Sequence, residues 1–402
     1  MDSLNFQDEQ DAKKPLIPRS KEPDIVEGEY QILIDRPIED LETDFAKYYY
    51  AQSINTQEEY FAILFETFYN ISPDIMNKLM ANSSENMILP LAYGITKISK
   101  TNKSYYVVII PKYDYDANLA NFVKENRAIN HKDIIEGLVP AFEKILRFAD
   151  KNKINLGNIN PNNIIVQKGK FILREFFAHL PNFYQSSYYL PIELFDCLPA
   201  GRIAEDLASD IYAFGVVVVF AALGQETWRK YDEETFKTLR FENSSYNAFI
   251  GKANIPDDLR NLLKGLLYDN QNERWKPRTI KDWLQGKSTK MTASSNVDAI
   301  SAITFNDSNY NGCRHLARGL FKEWDQGLDF IREERLFKWL QRSVAKVHII
   351  ENMNDLIDQK MSSDGSKADR NDHLFKTIIV LDPSGPIRLR NLAMSFYSMP
   401  QM

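Results

Sequence analysis

Between residues 28 and 65, apolar and polar side chains alternate in short runs such as YQILID and YYYAQS, the period of two expected of half-buried strands. SPDIMNKLM follows. Ser72 suits an N-cap and Pro73 a first helical position, so a short helix is expected there. SYYVVIIPKY (104–113) reads as another strand. From residue 117 the period changes. Leu119, Phe122 and Val123 share one helical face, and Ile134, Ile135, Leu138, Phe142, Ile145 and Leu146 continue the spacing. The loop LGNINPNNIIV (156–166) interrupts it, and the apolar NIIV and FIL nearby predict a short hairpin. Residues 205–285 read as helices. A small strand-rich part thus precedes a larger helical one, an α+β pattern.

The most apolar run, IYAFGVVVVFAAL (211–223), has 13 residues, whereas a bilayer span needs about 20. It predicts a fully buried helix and no membrane span. Residues 288–311 are rich in Ser, Thr and Asn and read as a linker. Beyond them, three apolar stripes at helical spacing (Leu316 to Ile331, Leu336 to Val344, Leu356 to Met361) predict a small helical module over 312–402. Within it, MSSDGSKADRND (361–372) reads as a polar loop. At the other end, residues 1–27 are polar, lack the apolar core of a signal peptide, and are expected to be disordered.

Composition narrows the function classes. The chain has 402 residues, 44% of them hydrophobic, enough for two or three domains. A net charge of −6 without a long basic stretch argues against a nucleic-acid partner. Cys197 and Cys313 are far apart in sequence, which fits a reducing, cytoplasmic compartment. The five His show no metal-ligand spacing. Abundant Asn, Ile, Lys and Tyr fit an AT-rich bacterial genome.

Four stretches, in order, carry a family resemblance. LGNINPNNIIV resembles a catalytic loop of the form His-Arg-Asp-x-x-x-x-Asn; LPIEL (190–194), a drifted Ala-Pro-Glu motif. SDIYAFGVVVV (209–219) resembles the start of a buried central helix, and GLLYDNQNERW (265–275) a late motif ending in Arg-Trp. Residues 28–287 therefore resemble a protein kinase domain. The resemblance implies a bilobal fold, with a small lobe over 28–113 and a large lobe over 114–287. It also implies an ion pair between Glu193 and Arg274, and structural roles for Asp210 and Trp275.

The same resemblance marks losses. The catalytic base position is Asn158, and an amide takes up no proton near neutral pH. The loop lysine position is Asn160, while the terminal Asn is kept as Asn163. The strand lysine position falls on Leu64, and the metal-binding Asp-Phe-Gly on Glu175, Phe176 and Phe177. The phosphate-binding loop falls on LETDFAKYYYA (41–51), without glycine and beside Glu39, Asp40, Glu42 and Asp44. Positions that hold such a fold are kept and positions that transfer phosphate are lost. The implied protein is a pseudokinase, a binding or regulatory scaffold with an unknown protein partner and no required cofactor. One alternative is an atypical enzyme that holds ATP with Mg²⁺ or Mn²⁺ through Asn163 and Glu175. Another places the function in the C-terminal helical module, with the kinase-like part as a passive platform. Separately, two tyrosine clusters suit contact surfaces, although Tyr48–Tyr50 reads rather as strand packing and Tyr188–Tyr189 falls in what the resemblance makes a substrate-docking loop.

Overall fold

A computed structural model describes residues 17–65, 71–126, 128–203, 207–289, 291–358 and 367–401. The chain is a mixed α/β protein that divides into two compact units. One comprises residues up to 115 together with 172–179, and the other comprises 116–171 with 180–402. No helix among the described residues is long and apolar enough to cross a membrane.

The first unit is built on a six-stranded antiparallel sheet. Its strands are β1 (Ile25–Val26), β2 (Tyr30–Pro37), β3 (Ala46–Ser53), β4 (Glu59–Phe65), β5 (Ala92–Lys97) and β6 (Ser104–Pro111), in the spatial order β1-β2-β3-β4-β6-β5. The runs that predicted strands form β2, β3, β4 and β6. The central β4 is apolar on both faces, with Phe61, Ala62, Ile63, Leu64 and Phe65 all buried. The helix Pro73–Met80 starts with Pro in its first turn, where a missing N–H costs nothing, although Ser72 makes no side-chain cap. The N-terminal stretch differs from the expectation of disorder through 27, of which residues 1–16 lie outside the described residues. From residue 17 the chain follows the sheet: Ser20 N–H donates to the Ile95 carbonyl at 2.9 Å, and Ile95 N–H to that of Pro18 at 2.8 Å. Gly94 is required at this crossing, since a Cβ there would lie 2.9 Å from the Pro18 oxygen.

The second unit is mainly helical. Its centre is the helix Ala208–Leu223, buried along its length through Ala221. The apolar run has no polar face to turn to water, so it can be stable only when surrounded. Phe214 stacks on Phe142 at 4.4 Å, and Gly215 lets the Leu266 and Leu267 side chains approach the helix backbone. Gly224 ends the helix at φ 70°, a left-handed cap that costs glycine little. Trp275 packs directly on Gly265, where a Cβ would stand 2.2 Å from the indole.

The stretch read as a linker is not featureless. Ser294 is buried and its Oγ donates to Asp269 Oδ2 at 3.3 Å, while Asn296 Nδ2 donates to the Arg240 carbonyl at 2.9 Å. Ile303–Phe305 and Ser308–Tyr310 form a hairpin turned by Asn306 and Asp307, both at positive φ. Helices Cys313–Lys322, Trp324–Phe330, Glu334–Ser343, Val347–Asp358 and Lys367–Leu381 follow. The last begins inside the polar stretch read as a loop; residues 361–366 of that stretch, including Met361, lie outside the described residues. Trp324 and Trp339 are buried in one cluster with Leu316, Leu320, Leu340 and Leu374. A second hairpin, Ile387–Leu389 with Leu392–Met394, follows, and then a 3-10 helix over Phe396–Gln401.

Candidate functional site

The asparagine loop lies between the helix Val139–Asn152 and the strand Ile164–Gln167. Asn158, Asn160 and Asn163 come together within it. Asn163 Nδ2 donates to the Asn158 carbonyl at 2.8 Å, and Asn160 Nδ2 to Asn158 Oδ1 at 2.9 Å. Asn160 Oδ1 accepts from Asn162 N–H at 3.0 Å and so caps the short turn Pro161–Asn163. Asn158 has φ 49°, a left-handed conformation that Asn tolerates better than most residues. Gln185 Nε2 holds the loop from outside by donating to the Ile159 carbonyl at 2.8 Å. The amides of Asn158, Asn160 and Asn163 can bind hydrogen-bonding groups, but they supply neither a proton acceptor nor a charge.

The loop is braced from below. Asp210, in the first turn of the buried helix, accepts from Leu156 N–H at 3.0 Å and Gly157 N–H at 2.7 Å. The expected contact between Glu193 and Arg274 is present: Oε1 and Nη1 are 2.8 Å apart and both side chains are buried. Arg274 also donates to the carbonyls of Tyr268 at 2.8 Å and Ala208 at 2.7 Å. One guanidinium therefore ties the 193 turn to both the central helix and the late loop.

In the other unit, Leu64 packs among Val26, Ile32, Ala62, Val107 and Ile109. Leu64 is buried in this apolar cluster, with Val107 opposite it on β6 and Lys47 opposite it on β3. Glu39, Asp40, Glu42 and Asp44 are exposed, and Thr43 Oγ1 accepts from Ala46 N–H at 3.1 Å to close the turn before β3. Glu175 is fully buried and saturated. Its Oε1 accepts from Tyr48 Oη at 2.9 Å and from Arg174 Nε and Nη2 at 2.9 and 2.6 Å. Its Oε2 accepts from Tyr113 Oη at 2.7 Å. Burial in this knot, with the Glu175 charge beside them, pushes the Tyr48 and Tyr113 phenols well above their usual values. A metal could reach Glu175 only by displacing donors that already satisfy it, so Glu175 as it stands does not fit a Mg²⁺ or Mn²⁺ ligand. Asn163 belongs to the other unit. Among the described residues, no group of three or more His, Cys, Asp or Glu side chains could hold a metal ion.

A second polar centre, built around Asp196, had no counterpart in the sequence patterns. Its buried carboxylate lies 3.2 Å from Arg318 Nε, 3.8 Å from Arg388 Nε and 3.9 Å from Lys322 Nζ. Arg388 also pairs with Asp382 at 2.8 Å, and Asp382 with Arg314 at 2.8 Å. These ions join the C-terminal helices to the 193–203 stretch. Backbone bonds add to them: Leu198 N–H donates to the Ala393 carbonyl at 3.1 Å, and Ser395 N–H to that of Gly201 at 2.8 Å.

Fold and site thus define a mixed α/β protein with an amide-lined loop, a sealed glutamate and a C-terminal module fastened by arginines. No family model matches the chain, and no curated protein matches it in sequence.

Proposed function

We propose that residues 28–287 form a bilobal, protein kinase-like domain that has lost phosphoryl transfer and serves as a binding or regulatory scaffold. The observation that carries this reading is the state of Glu175. The resemblance assigns that carboxylate to a metal, yet two phenols and a guanidinium occupy its oxygens. The asparagine loop supports the same reading. Without a base, a reaction forgoes about 10²- to 10⁴-fold of acceleration, and without cations it forgoes charge stabilisation as well. Glu193–Arg274 and Asp210 keep the loop in place, as a scaffold requires.

The test is a melting-temperature series with ATP–Mg²⁺ and ATP–Mn²⁺, together with phosphate-transfer assays on wild type and Asn158→Asp. No shift and no transfer are expected for either protein. A rise in melting temperature that Asn163→Ala abolishes would reveal a nucleotide site. Transfer lost in the same variant would replace the scaffold reading with the atypical enzyme.

A further inference from the structure

A cavity of about 470 Å³ opens beside the Glu193 turn, walled on its other side by residues of the C-terminal module. Small-molecule sites typically enclose about 300–1,000 Å³ and favour junctions of this kind. Its apolar wall includes Phe375, Ile379 and Phe396. Phe396 is 63% exposed, Ile379 40% and Tyr397 37%, so large apolar side chains face water around the opening.

Its polar wall carries Gln271 and three serines, of which Ser384 is engaged by Arg314. Ser209 and Ser395, both buried, line it. Ser209 Oγ accepts from Asn182 Nδ2 at 3.3 Å, and Ser395 Oγ from Tyr397 N–H at 3.4 Å. Among the described residues neither hydroxyl hydrogen has an acceptor, so each remains free to donate to a ligand. The cavity also touches Glu193 and Asp382, but their charges are already met by Arg274 and by Arg314 with Arg388. No Lys and only guanidinium-paired acids line it. An ion entering would lose its water and find no unpaired counter-charge.

We propose that this cavity binds an uncharged small molecule with an aromatic or aliphatic body and a carbonyl or ring-nitrogen acceptor. The body packs on Phe375, Ile379 and Phe396, and the acceptor meets the Ser209 and Ser395 hydroxyls. The site is separate from the asparagine loop and does not depend on the kinase-like reading.

Coumarin and quinolin-2-one serve as probes, followed by ligand-detected NMR and by melting temperature on the full chain. Saturable binding below about 1 mM is expected for at least one of them. Ile379→Trp, at the exposed mouth, should weaken it at least tenfold by filling the space. Ser395→Ala should weaken it several-fold by removing a donor, while leaving the helical signal intact. Coumarin-3-carboxylate should bind at least tenfold more weakly than coumarin. The proposal is overturned if neither probe saturates, if both variants bind like the wild type, or if the carboxylate binds as well as the neutral probe.

Discussion

Gly157 donates its backbone N–H to Asp210 Oδ1 at 2.7 Å, joining the asparagine loop to the buried helix across 53 positions of sequence. Gly157 has φ 62°, and a Cβ there would stand 2.5 Å from the Asn182 nitrogen and 2.6 Å from Pro181 Cα. Both are backbone atoms and cannot rotate away. Gly157→Ala should therefore cost well over the roughly 1 kcal/mol of a strained glycine replacement alone. Chemical denaturation measures it; a loss within about 0.5 kcal/mol, the scatter of surface changes, would show that the loop is not held as described.

Arg274→Leu should be among the most damaging single changes. It leaves Glu193 buried without its cation and deprives the Tyr268 and Ala208 carbonyls of their guanidinium donor. Breaking a buried pair typically costs about 3–5 kcal/mol. A melting curve like that of the wild type would contradict the pairing.

The Glu175 knot predicts a graded series. Tyr48→Phe removes one hydrogen bond to a charged acceptor and should cost about 1–3 kcal/mol. Glu175→Ala strips the partner from Arg174 and from both phenols, and should cost more than Tyr48→Phe. Equal losses in the two variants would mean that Glu175 is not the hub.

How much of this was legible in the sequence varied with its physical origin. The helix Ala208–Leu223 was legible because an all-apolar run has only one stable environment. In the first unit β2 and β3 were legible from short alternating runs, while β4 and β6 are buried as continuous apolar runs and β1 and β5 were not singled out. The Glu193–Arg274 contact came from the resemblance. The Asp196 centre left no mark, since ion pairs between residues such as Asp196 and Arg318, 122 positions apart, obey no local period. The hairpin at 303–310 did leave one: Asn306–Asp307 is a residue pair suited to positive φ in a two-residue turn, hidden within a composition that reads as linker.

His315 gives the stability a defined pH window. Burial, helped by the Arg318 charge, lowers its pKa to about 4 from an unfolded value of 6.5. The folded state therefore prefers the neutral ring. Its contribution is complete above about pH 6.5 and is lost as pH falls towards 4, where the unfolded chain binds a proton that the folded chain does not. Partial exposure limits the effect to about 2 kcal/mol. The ring lies between Phe241 and Tyr310, so His315→Phe should retain packing and reduce the slope over that window, leaving the part due to His373, whose pKa burial also lowers. Asp382 does not confuse the readout. Burial alone would raise its pKa, but Arg314 and Arg388 bring it below the usual value, so its loss begins at lower pH. An unchanged slope in the variant would remove His315 as the cause.

The bonds from residues 198–203 to residues 393–398 set an order of events during synthesis. Ile203 N–H finds its acceptor, Ser398 Oγ, 195 positions later. At about 5–20 residues per second, a ribosome needs about 10–40 s to deliver it. Until then the nascent chain carries the 193–203 stretch without its cover, and any chaperone or early binding partner that reads that stretch has only this interval in which to do so.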